Sequence, residues 1–463
     1  MPEINTSIIP VKQKFATLKN EPKVIDLEAI CVYVATGFFL DDDTFWKHKK
    51  VLRPGTKNIL DSDGNLVSSS QHFKWHYKPD ESLSFSDAVE NFGALFEKII
   101  DRQVGDQRVI LPLSGGLDSR TQAVTLHKLN KNVSSYCYAF KGGYPEAKIG
   151  KSIAKTCNFD FKAFTIQPNY LWSKIDDLAK ISECYSEFSH PRQMAIIDAY
   201  KTMGDVFSLG HWGDVLFDDM GVSDNLGRND QVDILLKKIV KPSGIALAEK
   251  LWKHFNLDGK FKDYFTARIY KLYKNIHIES SANASIRAFK STYWAPRWTS
   301  INLNIFSEVK PITLPYYDDE MCKFICQIPE SYLAQRAIQI AYIKRRAPEL
   351  AKIVWHQQKP FNLNTYQYNK TPFNLPYRVY SKLNRMSKDF IGKPLVQRNW
   401  ELQFIGESNE AMLRDYLFKN SFIPKDIISE VFNDFKTKDK VYHAHAVSMF
   451  LTLSLWDKHF NNE

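Results

Sequence analysis

The sequence predicts an α/β protein, a doubly wound parallel sheet followed by a mostly helical C-terminal half. Three observations carry this. Short apolar runs of the buried-strand type stand at residues 108–113 (RVILPL), 134–140 (SSYCYAF), 160–166 (DFKAFTI) and 205–210 (DVFSLG). Helical patterns over 119–129, 146–157 and 191–203 separate them, and strand–helix alternation marks a parallel sheet. Beyond Leu226 helical stretches dominate, at 232–239, 244–254, 266–275, 321–328 and 338–346.

Taken in order, the first 25 residues are polar with scattered Pro and Lys, and read as a loosely held arm. Residues 29–40 (AICVYVATGFFL) are too few to span a bilayer and fit a buried helix and turn. The D-G pair in NILDSDGNLVSSS signals a hairpin, and HFKWHY after it alternates like a strand. From Ser84 an amphipathic helix begins. Ser84 or Ser86 caps it, and Val89, Phe92, Leu95, Phe96 and Ile99 share one face. The chain therefore divides into a short N-terminal region, 1–80, and a main unit, 81–463, with an α/β core to 226 and a helical part from 227.

The 463 residues are 44% apolar and 25% charged, which fits a globular protein with a sizeable core. A formal charge of +10 favours polyanionic partners. The lysines are scattered among acids, however, and fit an ordinary solvated surface better. The six cysteines form no CxxC or zinc-type pair, so reduced thiols and a cytoplasmic location are expected. The N-terminus lacks a signal-type apolar region, and no membrane partner is expected.

The chemistry concentrates at 109–124, VILPLSGGLDSRTQAV. This loop leaves a buried strand and opens a helix, where ligands of open parallel sheets bind. Helix N-termini attract phosphate, and Gly115 and Gly116 let an anion approach the backbone. Ser114 and Ser119 add hydroxyls. Asp118 would repel phosphate unless a cation lies between them, so it points to Mg²⁺. The loop is neither G-x-x-x-x-G-K-[ST] nor G-x-G-x-x-G.

The string S-G-G-x-D-S resembles the PP-loop of the N-type ATP pyrophosphatases, which split ATP between the α and β phosphates. LGHWGDVLFDD (209–219) is similar to the S-G-x-G-G-D-E-L-F-G-G segment of asparagine synthetases, with Gly210, Gly213, Asp214, Leu216 and Phe217 in register. TLPYYDDEMCKFICQIP resembles that family's V-P-F-L-D stretch through Pro315 and Asp318. VWHQQKPF resembles the segment carrying its essential lysine, here Lys359. The resemblance runs in order from about Leu27 to Phe361.

The resemblance implies a PP-loop fold and an AMP-forming, amide-making ligase that uses ATP and Mg²⁺. Ser114, Gly115, Gly116, Asp118 and Ser119 would hold the pyrophosphate. Asp118 and Asp214 would hold Mg²⁺. Backbone near Leu113, Ala139 and Gly210 would hold adenine and ribose, and Lys359 would neutralise the departing phosphates. Glu146 fills a place the family usually gives an acid. Arg120 and Arg297 are candidates for a substrate carboxylate, or equally structural ion-pair partners.

Three departures narrow this. Met1 is followed by Pro2, the first cysteine is Cys31, and the region before the loop is too short for a glutaminase domain. Ammonia must then come from solution or another subunit, or the nucleophile is a substrate amine. His211 stands where the family has Glu, as a general base or a structural donor, beside the bulky Trp212. Asp218 and Asp219 replace the closing glycines, either joining the metal site or forming a solvated turn. The expected partners are a small-molecule, peptide or sugar carboxylate and an amine donor. A tRNA-modifying pyrophosphatase and a non-catalytic nucleotide-binding relative are the alternatives, with nucleic acid disfavoured by the Asp214 and Lys359 segments.

Overall fold

The computed structural model describes residues 2–145, 147–392 and 394–461. Glu146 lies outside the described residues. The N-terminal segment supplies five short strands, β1 (Glu3–Asn5), β2 (Phe15–Thr17), β3 (Lys49–Val51), β4 (Thr56–Leu60) and β5 (Leu66–Gln71). β4 and β5 are the expected hairpin, paired from Thr56↔Gln71 to Leu60↔Leu66.

The expected loose arm is corrected. β1 pairs with β4 and β2 with β3, and Ile8 and Ile9 are fully buried in the main core. Its three-residue strands find partners 32–56 positions away, too far for local pattern to show. HFKWHY is not a strand either.

Helix α1 (Leu27–Thr36) is the apolar run at 29–40. Asp26 caps it by accepting from the Ala29 N–H, and Gly37 ends it in the left-handed region. Helix α2 (Phe85–Val104) starts at Ser84, whose side chain accepts from the Asp87 N–H. Val89, Phe92, Phe96 and Ile99 are buried as its periodicity requires, and Leu95 is half-buried.

The core of the molecule is a five-stranded sheet of β6 (Val109–Pro112), β7 (Val133–Phe140), β8 (Asp160–Ile166), β9 (Val206–Ser208) and β10 (Ile312–Thr313). The order is β10-β9-β6-β7-β8 and every pair is parallel. Val109 faces Val133 on one side and Val206 on the other. The chain winds outward from β6 first through β7 and β8, then through β9 and β10. The expected α/β class is therefore present, and the switch point lies between β6 and β9.

Helices α3 (Leu117–Lys128), α4 (Ala147–Thr156) and α5 (Tyr170–Ser182) follow β6, β7 and β8. The helix expected over 191–203 is instead a 3₁₀ segment, Arg192–Ile196, and one α turn, Ile197–Tyr200. The second half is helical as expected. Its last helix, Lys440–Phe460, is buried along most of its length, and Trp456 stacks on Phe45 with ring centres 4.4 Å apart. By contrast, the helix Leu375–Phe390 buries none of its residues. All six cysteines are buried free thiols. Among the described residues, no helix is long and apolar enough to cross a membrane.

Candidate active site

In a sheet of this winding, ligands bind beyond the strand ends at the switch point. The loops that leave β6 and β9 meet there. The first begins at Leu113, whose N–H donates to the Tyr136 carbonyl at 2.7 Å and prolongs the β6–β7 ladder. It then folds on its own hydroxyls. The Ser114 N–H donates to Ser119 Oγ at 3.2 Å, the two serine hydroxyls lie 3.1 Å apart, and the Gly116 N–H donates to Ser114 Oγ at 3.2 Å. Gly116 caps α3 with no side-chain acceptor, so the first N–H groups of α3 have no side-chain cap, the arrangement that suits an anion.

Gly115 has a packing reason. A Cβ there would stand 2.8 Å from the Cβ of His356, and the Gly115 carbonyl accepts from the His356 N–H at 3.1 Å. The segment carrying Lys359 is thereby laid against the loop. Lys359 and His356 line a 460 Å³ cavity with Tyr138, Ala139 and Gln357. Ala139 and Lys359, both implied by the family resemblance, thus share one cavity beside the serine–glycine loop.

Asp118 stands on the first turn of α3 and meets the second loop. Gly210 and Gly213 make this possible. A Cβ on Gly213 would overlap the Asp118 carboxylate, and one on Gly210 would press within 3.1 Å of the Asp118 Cβ. Burial pushes the Asp118 carboxyl up to about 6, and the charge of Asp214 adds to this against the opposing pull of Arg336. Asp214 opens the turn Gly213–Leu216 after β9. Two neighbouring carboxylates at a phosphate-binding loop are the oxygen donor set that Mg²⁺ takes together with phosphate oxygens. The residues present fit that ion.

His211 is held neutral. Burial drops its pKa to about 4, Asp214 opposes this, and Arg192 reinforces it. Its Nδ1 is buried without a hydrogen-bond partner. Trp212 takes a left-handed φ of 76° and donates from Nε1 to Ser291 Oγ at 3.0 Å. Asp218 and Asp219 line a second cavity of 620 Å³ with Arg336, Gln357 and Gln358.

Two tentative substrate residues are corrected. Arg120 is fully buried and donates to the carbonyls of Leu350, Ile353 and Val354 at 3.2, 2.9 and 2.7 Å. It ties α3 to the chain that leads to Lys359. Arg297 is equally buried and donates to the Asp43 carbonyl at 2.5 Å, among the Asp41–Asp43 acids. Both spend their charge on the scaffold. Asp318 is likewise structural, capping the helix Asp319–Ile325 and pairing with Arg102 at 2.6 Å.

Two residues escape sequence reasoning. Arg336, in the left-handed region, ion-pairs with Asp118 and donates to Gln339 Oε1 at 2.6 Å. Lys290 lies over the rings of Trp212 and Trp294, 5.7 and 5.3 Å from their centres. Burial lowers its pKa to about 8, against the pull of Asp214. Neither lies in a motif.

The loops after β6 and β9 bring Asp118 and Asp214 together at the switch point, in the frame of an ATP-using family of enzymes. The chain belongs to the asparagine synthase family, whose model matches residues 91–457. No curated protein matches it. Among solved structures, the NMN synthetase from Francisella tularensis is 13% identical over 45% of this chain and 93% of its own, with a TM-score of 0.22. At that score the likeness carries no weight for fold or chemistry.

Proposed function

We propose that the protein activates a carboxylate with ATP and passes the acyl group to a nitrogen nucleophile, making an amide. The observation that carries this is the loop 114–119, where Asp118 feels the charge of Asp214 while Gly115 packs on His356 of the cavity that Ala139 and Lys359 line. A scaffold protein has no use for that costly arrangement of charges.

In the first step a carboxylate oxygen attacks the α-phosphorus, and the bond to pyrophosphate breaks. The uncapped start of α3 and the hydroxyls of Ser114 and Ser119 receive the leaving pyrophosphate. Asp118 and Asp214 would hold Mg²⁺, which neutralises phosphate charge when bound. Lys359 faces the nucleotide cavity and adds a cation where negative charge accumulates, the largest kind of catalytic contribution. In the second step the nitrogen attacks the acyl carbon and AMP departs. The nitrogen must lose a proton. His211 is the acceptor in this reading, being neutral with an unpartnered Nδ1.

Free ammonia, ammonia from another subunit or a substrate amine would supply the nitrogen. The test is pyrophosphate release with ATP, Mg²⁺ and a panel of small, sugar and peptide acids. Release with at least one acid is expected. Release only with tRNA would replace this reading by RNA modification, and binding of ATP without release would make the protein a nucleotide-binding relative.

A further inference from the structure

The helix Leu375–Phe390 carries its apolar face outward. Its half-buried residues are Tyr377, Ser381 and Lys388, which share one face by helical spacing. Tyr377 and Ser381 line the Lys359 cavity, so this polar face is turned toward the body. Leu375, Val379, Leu383, Met386 and Phe390 recur every three or four residues and fall on the opposite face. All five are exposed, Leu383 to 59% and Phe390 to 93%. Phe373 and Ile391, just outside the two ends, are exposed as well. Apolar side chains gathered in one stripe and turned to water mark an interaction surface, which single scattered ones do not.

The charges name the kind of partner. Arg378, Lys382 and Arg385 run along one edge of the stripe, with Lys388 further round, and the helix carries one acid, Asp389. A second copy of the chain would set these cations against their own kind, which repels. The inner side is already engaged. The Asn374 amide donates to Asn369 Oδ1 at 3.2 Å and the Asn369 amide to Gln358 Oε1 at 2.6 Å, which ties the start of the helix to the Lys359 segment. What stays open is a convex face, suited to a flat layer of headgroups rather than to an enclosing protein groove. At a length of about 24 Å, a helix with an apolar stripe and a basic flank lies in a bilayer surface and does not cross it.

We propose that this helix docks the protein on an anionic lipid surface. The apolar stripe enters the boundary between headgroups and acyl chains, and Arg378, Lys382 and Arg385 meet the lipid phosphates. The Lys359 cavity then lies about 10 Å, one helix diameter, from the lipid. The proposal is independent of the ligase reading, and it departs from the expectation of no membrane partner. That expectation rests on the N-terminus and on spanning length, and neither bears on a helix lying in the surface.

The test is co-sedimentation of the full chain with vesicles of phosphatidylcholine, alone or with added phosphatidylglycerol. The mixed vesicles should bind the chain at least about tenfold tighter. Leu383→Glu with Phe390→Glu, and separately Lys382→Glu with Arg385→Glu, change exposed side chains and should each weaken that binding at least about tenfold. Lys237→Glu with Lys238→Glu makes the same charge change at exposed positions of the helix Arg228–Ile239, and should alter binding by less than about twofold. No binding to the mixed vesicles, equal binding to both kinds, binding that survives either pair of changes in the helix Leu375–Phe390, or an equal loss in the Lys237 and Lys238 pair would overturn the proposal. Self-association without vesicle binding, abolished by Leu383→Glu with Phe390→Glu, would give the face to a second copy and overturn it too. If a variant does not fold, the comparison of the two vesicles with the unaltered chain decides.

Discussion

The loops after β6 and β9 face each other across the switch point, and they are built on opposite principles. The first uses small residues that brace one another, with Ser114, Gly116 and Ser119 linked by bonds of 3.1–3.2 Å. It keeps its backbone open to an anion. The second packs large side chains, with Trp212 tied to Ser291 and His211 buried and neutral. The contrast separates two tasks. In the proposed reaction the first loop serves the nucleotide and the second shapes what attacks it. Asp118, Gly210 and Gly213 are where the two interlock.

The comparison breaks most sharply at Asp118. In Asp118→Asn, pyrophosphate release should fall about 10³-fold or more, since one charge on the metal and phosphate side is lost. Wild-type release in that variant would end the site assignment. Lys359→Met should cost about 10²-fold in rate, with binding of the acid unchanged, because the lysine acts only on the phosphate side. Steady-state kinetics with separate titration of ATP and acid distinguishes the two.

Gly213→Ala sharpens the interlock. Its Cβ would overlap the Asp118 carboxylate, so stability should fall by about 1–3 kcal/mol. Gly227→Ala is the control, because nothing comes closer there than Asp230 at 3.5 Å; denaturant unfolding should show a change within about 0.5 kcal/mol.

A pH-dependent effect belongs to His211. Its folded pKa, about 4, lies below the ordinary 6.5. The unfolded chain therefore binds the extra proton first. The stability His211 contributes is present above about pH 6.5 and fades as pH falls toward 4, by at most about 3 kcal/mol. His211→Gln should flatten that part of the stability–pH profile. It should also lower kcat more than it raises the KM for ATP if the imidazole takes the proton.

The same contrast explains what the sequence could disclose. β6 shows as an apolar run because, buried in the middle of the sheet, it has no polar position. The first loop shows because its chemistry lies within six residues. β10 has two residues, too few to register. Arg336 stands 218 positions from Asp118, and no spacing rule joins them. Arg120 was legible as a charge beside the loop, yet its acceptors are main-chain carbonyls, which carry no sequence mark.

The central claim, that the first loop serves transfer of AMP to a carboxylate, is tested most directly by trapping with hydroxylamine. The protein would be incubated with ATP, Mg²⁺, hydroxylamine and each acid of the panel. The account predicts hydroxamate, AMP and pyrophosphate in equal amounts, all lost in Asp118→Asn. ADP and phosphate in their place, or unchanged hydroxamate in Asp118→Asn, would contradict it.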